Sequence, residues 1–225
     1  MKYRFIAIDG PMSSGKTDLT EVLGKHYRGR TVLDERDNNP FLELFYQDPE
    51  RYAFQCQIFY LFNRYHQLVA IKQYDLFHQV VLCDYLFERD RLYAHVLLND
   101  SELNLYDKIF SLLVGRVPKP DLVMVLQVSD NILWRRLRKL KKRDDYLFTK
   151  EFVFSINQAY NQFFYNYDAS PLLILNVEAW DQIVQQADIQ AIVHHIETLK
   201  GGRTYISPIS SLGSLFGDRD ERSSS

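Results

Sequence analysis

Two spacings of apolar residues alternate along this chain. Short unbroken runs, such as Phe5, Ile6, Ala7 and Ile8, suit strands buried on both faces of a sheet. Between them lie longer stretches in which apolar residues recur every three or four positions, the pattern of a helix buried along one side. Beyond the first strand, the runs predict strands at residues 31–33, 80–83, 122–126 and 172–175. A first helix is predicted from Thr17, where Leu19, Val22 and Leu23 fall at helical spacing, and a long one over 50–74, with Phe54, Ile58, Leu61 and Phe62 in step. Further helices are predicted over 90–115, 131–143, 149–167 and 181–200. Asn39-Pro40 marks a turn and a helix start, since proline suits a first helical turn, and Pro118-Lys119-Pro120 breaks the chain. Strands separated by helices predict an α/β fold, a parallel five-stranded sheet with helices on both faces. One domain is expected over residues 1–200. The Ser-, Gly- and charge-rich stretch 201–225 has no apolar face and is expected to be a flexible tail.

Charge and cysteine usage narrow the function classes. A net charge of −2 over 225 residues, without a cationic amphipathic segment, argues against a general nucleic-acid or membrane binder. No apolar run approaches the ~20 residues of a membrane span. The chain enters its first strand directly, which leaves no room for a signal peptide. Cys56 and Cys83 both sit in apolar stretches and read as buried free thiols of a reducing compartment, so a cytoplasmic location is expected.

The first strand runs straight into Gly10-Pro11-Met12-Ser13-Ser14-Gly15-Lys16-Thr17, which matches G-x-x-x-x-G-K-[ST] at every fixed position and opens a helix. This strand–loop–helix context is the one a phosphate-binding P-loop requires. The loop amides and the helix N-terminus would hold phosphates, Lys16 would reach the outer ones, and the Thr17 hydroxyl would ligate Mg²⁺. The chain is expected to bind a nucleoside triphosphate.

A P-loop does not by itself choose an acceptor. Asp34 and Glu35 end the second predicted strand, near where a parallel sheet places its crevice, and either is a candidate to take a proton from an attacking hydroxyl. Asp84 ends another strand, where a carboxylate can help hold Mg²⁺. Arg135, Arg136, Arg138, Lys139, Lys141, Lys142 and Arg143 crowd one stretch. Such a run usually marks a solvated face, but after a strand end in a P-loop protein it suits a basic lid over the triphosphate. The helix over 50–74 is rich in aromatics interrupted by Gln55, Gln57, Asn63 and Arg64, a mixture suited to a planar ligand read by an amide.

Together these pieces resemble the deoxyribonucleoside kinases, especially their bacterial branch. The resemblance runs over residues 3–200. It rests on the P-loop, NNPFLELFYQDPERYAFQCQIFYLFNR, DYLFERDRLYA, PKPDLVMVLQ and the basic stretch. It implies transfer of the ATP γ-phosphoryl to the 5′-hydroxyl of a deoxynucleoside, in nucleotide salvage, by a homodimer. Tyr46 would bond the sugar 3′-hydroxyl, and Gln57 would read the base edge, with Arg64 and Asp90 completing the pocket. Asp84 would sit near Mg²⁺. Arg136, Arg138 and Lys142 would be lid cations, Arg136 acting in catalysis, and Asp145 the lid acid on the 3′-hydroxyl. The catalytic base follows the second strand. Ungapped counting back from Asn39-Pro40 puts it at Asp34, side-chain length suits Glu35, and both stay candidates.

The chain departs from the family pattern at Tyr85, which stands where the [DE]-R-S motif has its arginine, and at Leu140, which replaces a lid arginine. Two rival readings follow. A nucleoside-monophosphate kinase of the thymidylate kinase type would need an acceptor-phosphate arginine, which Arg51, Arg64, Arg89 or Arg91 would supply. An ATP-binding regulatory module with weak catalysis would account for the two departures.

Overall fold

The alternation of side chains within each strand distributes the core over the two faces of one sheet. In the computed structural model, which describes residues 2–74, 80–139, 149–180 and 186–206, the strands are β1 (Phe5–Asp9), β2 (Arg30–Val32), β3 (Val81–Cys83), β4 (Leu122–Gln127), β5 (Leu172–Asn176) and β6 (Arg203–Ile206). All pair in parallel, in the order β2-β3-β1-β4-β5-β6. The helices are α1 (Lys16–Tyr27), α2 (Leu42–Gln47), α3 (Pro49–Tyr74), α4 (Arg89–Leu97), α5 (Asp100–Val114), α6 (Asp130–Lys139), α7 (Lys150–Tyr165) and α8 (Gln186–Thr198).

Ile6, Ile8, Leu82, Met124 and Leu173 pack on one face with Leu19 and Leu23 of α1, Leu133 of α6 and Ile192 and Ile196 of α8. Their strand neighbours point the other way. Phe5, Val81 and Cys83 meet α3 and α5, and Ala7, Val123 and Ile174 meet α7. Burial on both faces explains why these strands read as unbroken apolar runs.

Two expectations are corrected. The sheet has six strands, because Arg203–Ile206, inside the stretch assigned to the tail, pairs with β5. β6 is an edge strand with Tyr205 exposed and Ile206 buried, so it carries no apolar run. Its anchor is Arg203, whose Nη2 donates to the carbonyls of Phe164, Tyr165 and Tyr167 at 2.9–3.0 Å. The helix expected over 90–115 is two helices. Asn99 breaks it with a capping box: its side chain accepts from the Ser101 and Glu102 amides, and Glu102 returns a bond to the Asn99 amide. The basic helix is described only to Lys139; Leu140, Lys142, Asp145 and residues 207–225 lie outside the described residues.

Candidate active site

β1 ends at Asp9, and the loop that follows is shaped by its glycines. A side chain at Gly10 would come within 2.9 Å of the Leu126 carbonyl, and Gly15 caps α1 at φ 92° in the left-handed region. The loop thereby brings its amides round to the N-terminus of α1, beside Lys16 and Thr17. Asp9 is fully buried beneath it and accepts from the Gly10 and Leu86 amides and the Tyr160 hydroxyl. Burial raises its pKa against the pull of Arg89 and Lys16. The Lys16 ammonium is held below its ordinary value, by burial first and by Arg89 second.

A cavity of about 310 Å³ opens directly from Met12, Ser13, Lys16 and Thr17 and extends between the sheet edge and α3. Asp84, directly after β3, is held at its phosphate end. Its Oδ2 accepts from the Thr17 hydroxyl at 2.6 Å, and its Oδ1 accepts from the Asp34 amide at 2.7 Å. A hydroxyl and a carboxylate side by side are the oxygen donors that Mg²⁺ takes. Among the described residues no group of three or more His, Cys, Asp or Glu gathers as a metal cluster. A hydroxyl and one carboxylate would leave the rest of an octahedral shell to substrate phosphates and water.

Asp34 and Glu35, adjacent in sequence, part company here. Asp34 lines the cavity, with its carboxylate held by Arg64 (Nε 3.0 Å, Nη2 2.8 Å) and Arg89 (Nη2 2.7 Å). Burial alone would raise its pKa, but the two guanidiniums outweigh burial and hold it well below the usual carboxylate range. Glu35 is exposed, accepts from the Asn38 side chain at 3.0 Å and does not line the cavity.

Gln57 is buried yet reaches the cavity, one helical repeat of seven from Arg64 on the same face of α3. Tyr46 of α2 lines it too. The link that seats α2 over α3 is Asn39, whose side chain donates to the Cys56 carbonyl at 3.0 Å and accepts from the Phe41 amide at 2.9 Å. Asp90 is not a lining residue. It lies behind Arg64, ion-paired with it, and burial pushes its pKa up to about 6 against the pull of Arg64 and Arg89. Asp34 and Asp90 therefore share one arginine from opposite sides.

Two of the expected lid cations, Arg136 and Arg138, do not line the cavity. The Arg136 guanidinium donates to the carbonyls of Val177 at 2.6 Å and Trp180 at 2.7 Å, in the segment after β5, and is not a lining residue. Arg138 is exposed near the end of α6. Of the arginines that a monophosphate acceptor would need, Arg91 is exposed and paired with Asp107 at 2.9 Å, and Arg51 lies over the Tyr52 ring. Arg64 and Arg89 are committed to Asp34.

Two lining residues, Arg36 and Tyr93, were not singled out from sequence, and no local signal marks either. Arg36 meets Tyr60 of the aromatic helix through its carbonyl, 3.2 Å from the Tyr60 hydroxyl. Arg89 did leave a signal, a cation next to an acid at a helix start, without showing which way it points.

The profile described as deoxynucleoside kinase matches residues 6–200. The chain is 28% identical over 203 residues to a deoxyguanosine kinase of Bacillus subtilis, covering 87% of this chain and 97% of that protein. It is 30% identical over 193 residues to a deoxyadenosine kinase of Dictyostelium discoideum, covering 84% and 77%. A solved deoxyadenosine kinase from M. mycoides with bound dATP superposes with a TM-score of 0.73 at 22% identity, over 87% of this chain and 100% of that one.

Proposed function

This chain belongs to the deoxynucleoside kinase family, and on that premise we propose how its residues move a phosphoryl group from ATP to the 5′-hydroxyl of a deoxynucleoside. The observation that carries the reading is the continuity of one cavity, from Lys16 and Thr17 at one end to Gln57 and Arg64 at the other, with Asp34 between them.

ATP lays its phosphates on the amides of residues 10–15, with Lys16 on the outer ones. Thr17 and Asp84 would hold Mg²⁺, which when bound would draw charge from the phosphate oxygens. The deoxynucleoside enters with its base toward Gln57 and Arg64. Asp90 acts behind Arg64 by fixing its guanidinium, and Tyr46 bonds the sugar. Asp34 accepts the hydrogen of the 5′-hydroxyl as that oxygen attacks. Its ion pairs make it a weak base, so its contribution is aim and timely proton acceptance in a loose transition state. Arg138, Lys142 and Asp145 complete the lid in this reading. Arg136 joins it by exchanging its carbonyl partners for phosphate.

We infer a purine deoxynucleoside as the acceptor, supported by the deoxyguanosine and deoxyadenosine named for the relatives and by an amide able to donate and accept at Gln57. A cytoplasmic location is supported by two buried free cysteines. The homodimer is inferred with Leu105 and Leu112, exposed on α5, at its contact. One kinase domain that runs through β6 completes the proposal. Among the described residues no helix is long and apolar enough to cross a membrane.

The test is a panel of deoxynucleosides incubated with ATP and Mg²⁺, read as ADP and 5′-monophosphate. Monophosphate should form from deoxyguanosine or deoxyadenosine, and chelation of Mg²⁺ should stop it. Phosphorylation only of nucleoside monophosphates would overturn the acceptor assignment.

A further inference from the structure

Tyr85 leaves the site without an arginine at the position where the [DE]-R-S motif has one. Its side chain is fully buried, and its hydroxyl donates to Gln67 Oε1 at 2.7 Å. Gln67 in turn donates to the Leu33 carbonyl at 3.1 Å, which steadies the backbone one residue before Asp34. The Tyr85 ring also lies 5.6 Å from the Arg64 guanidinium and 5.7 Å from that of Arg89, so it backs both cations that hold Asp34. Position 85 has become a support.

A buried cation stands four residues on. Arg89 opens α4, is 4% exposed, and lines the cavity with Lys16, Thr17 and Asp34. Its Nη2 bonds Asp34 at 2.7 Å, and its Nη1 lies 3.7 Å from Asp9, directly before the P-loop. Its Nε is buried and has no hydrogen-bond partner among the described residues. An unspent donor on a buried guanidinium is costly, and it is relieved when an anion arrives.

We propose that Arg89 is a catalytic residue of this chain: it holds Asp34 and also bonds the phosphoryl group in transfer. The inference rests on the kinase reading above. In the step, the 5′-oxygen forms its bond to the γ-phosphorus as the bond to the β,γ-bridging oxygen breaks. The hydroxyl proton passes to Asp34, and the electron pair leaves on ADP. Arg89 meets the charge spread over the transferred oxygens through its unspent Nε while its Nη2 keeps Asp34 in line.

The experiment uses the full chain and the best deoxynucleoside from the panel. Wild-type turnover must be present first; its absence would count against the kinase reading and not against Arg89. Arg89→Gln should lower kcat about 10²- to 10³-fold, with both KM values within a few-fold. Arg91→Gln, an exposed neighbour on α4, should leave kcat unchanged. Arg89→Lys keeps the stem and the charge and guards against misfolding, which a thermal melt would reveal. It should still lose about tenfold, because one ammonium cannot serve Asp34 and phosphate together. Adding Arg89→Gln to Asp34→Asn should cost about a further tenfold. No further loss would mean that Arg89 acts only through Asp34, and a kcat within twofold of wild type in Arg89→Lys would remove its catalytic role; either overturns the proposal.

Discussion

At the phosphate end of the cavity most groups come from residues 9–17, with Asp84 and Arg89 added from a distance. At the acceptor end Asp34, Tyr46, Gln57, Arg64 and Arg89 come from the exit of β2 and from α2, α3 and α4. The first site is built from backbone amides and one helix terminus, so a local sequence suffices to make it. The second is built from side chains whose mutual distances depend on how helices seat on the sheet. A contiguous loop thus carries the chemistry common to phosphate binding, and an assembled wall carries the choice of acceptor.

The harshest break of the phosphate end is Lys16→Ala. It removes a point charge from the phosphates in the transition state, and kcat should fall about 10³-fold with the fold intact by circular dichroism. Substantial turnover in the purified variant would remove Lys16 from the mechanism.

Next comes the junction of the two ends, where Asp34→Asn is compared with Glu35→Gln. The first should lower kcat about 10²-fold while ATP binding, measured by calorimetry, holds. The second should stay within twofold, since Glu35 points to solvent. Equal, mild effects in the two variants would mean that neither acid is the base.

At the acceptor end, Gln57→Ala should raise the deoxynucleoside KM about tenfold and leave the ATP KM in place, the scale of one lost buried hydrogen bond. Equal shifts in both constants would erase the division between the two ends.

The smallest effect is structural. Asn99→Ala removes the cap of α5, which packs behind α4 and touches neither end of the cavity. It should cost about 1 kcal/mol in denaturant unfolding and change neither KM. A shifted deoxynucleoside KM would show that the acceptor wall depends on α5.

Much of this was legible in the chain. The strands β1, β3, β4 and β5 announce themselves because burial on both faces demands unbroken apolar runs. The P-loop does so because its glycines and its lysine must stand at set intervals on one turn of chain. Gln57 and Arg64 were readable as a pair, since helical periodicity alone puts them on one face. Local chemistry with a fixed spacing is what a sequence determines by itself. The rest needed three dimensions. Asp34 and Glu35 are equivalent as letters, and only the hydrogen bond from the Asp34 amide to Asp84, with Arg64 and Arg89 arriving from two different helices, turns one inward and leaves the other in solvent. Arg136 sits in a basic run that reads as a lid, yet its guanidinium meets carbonyls more than forty residues away, in the loop after β5. β6 has no run of its own and exists because β5 offers it an unpaired edge. In each case a long-range contact decided between local options of nearly equal energy, and no spacing along the chain records such a contact.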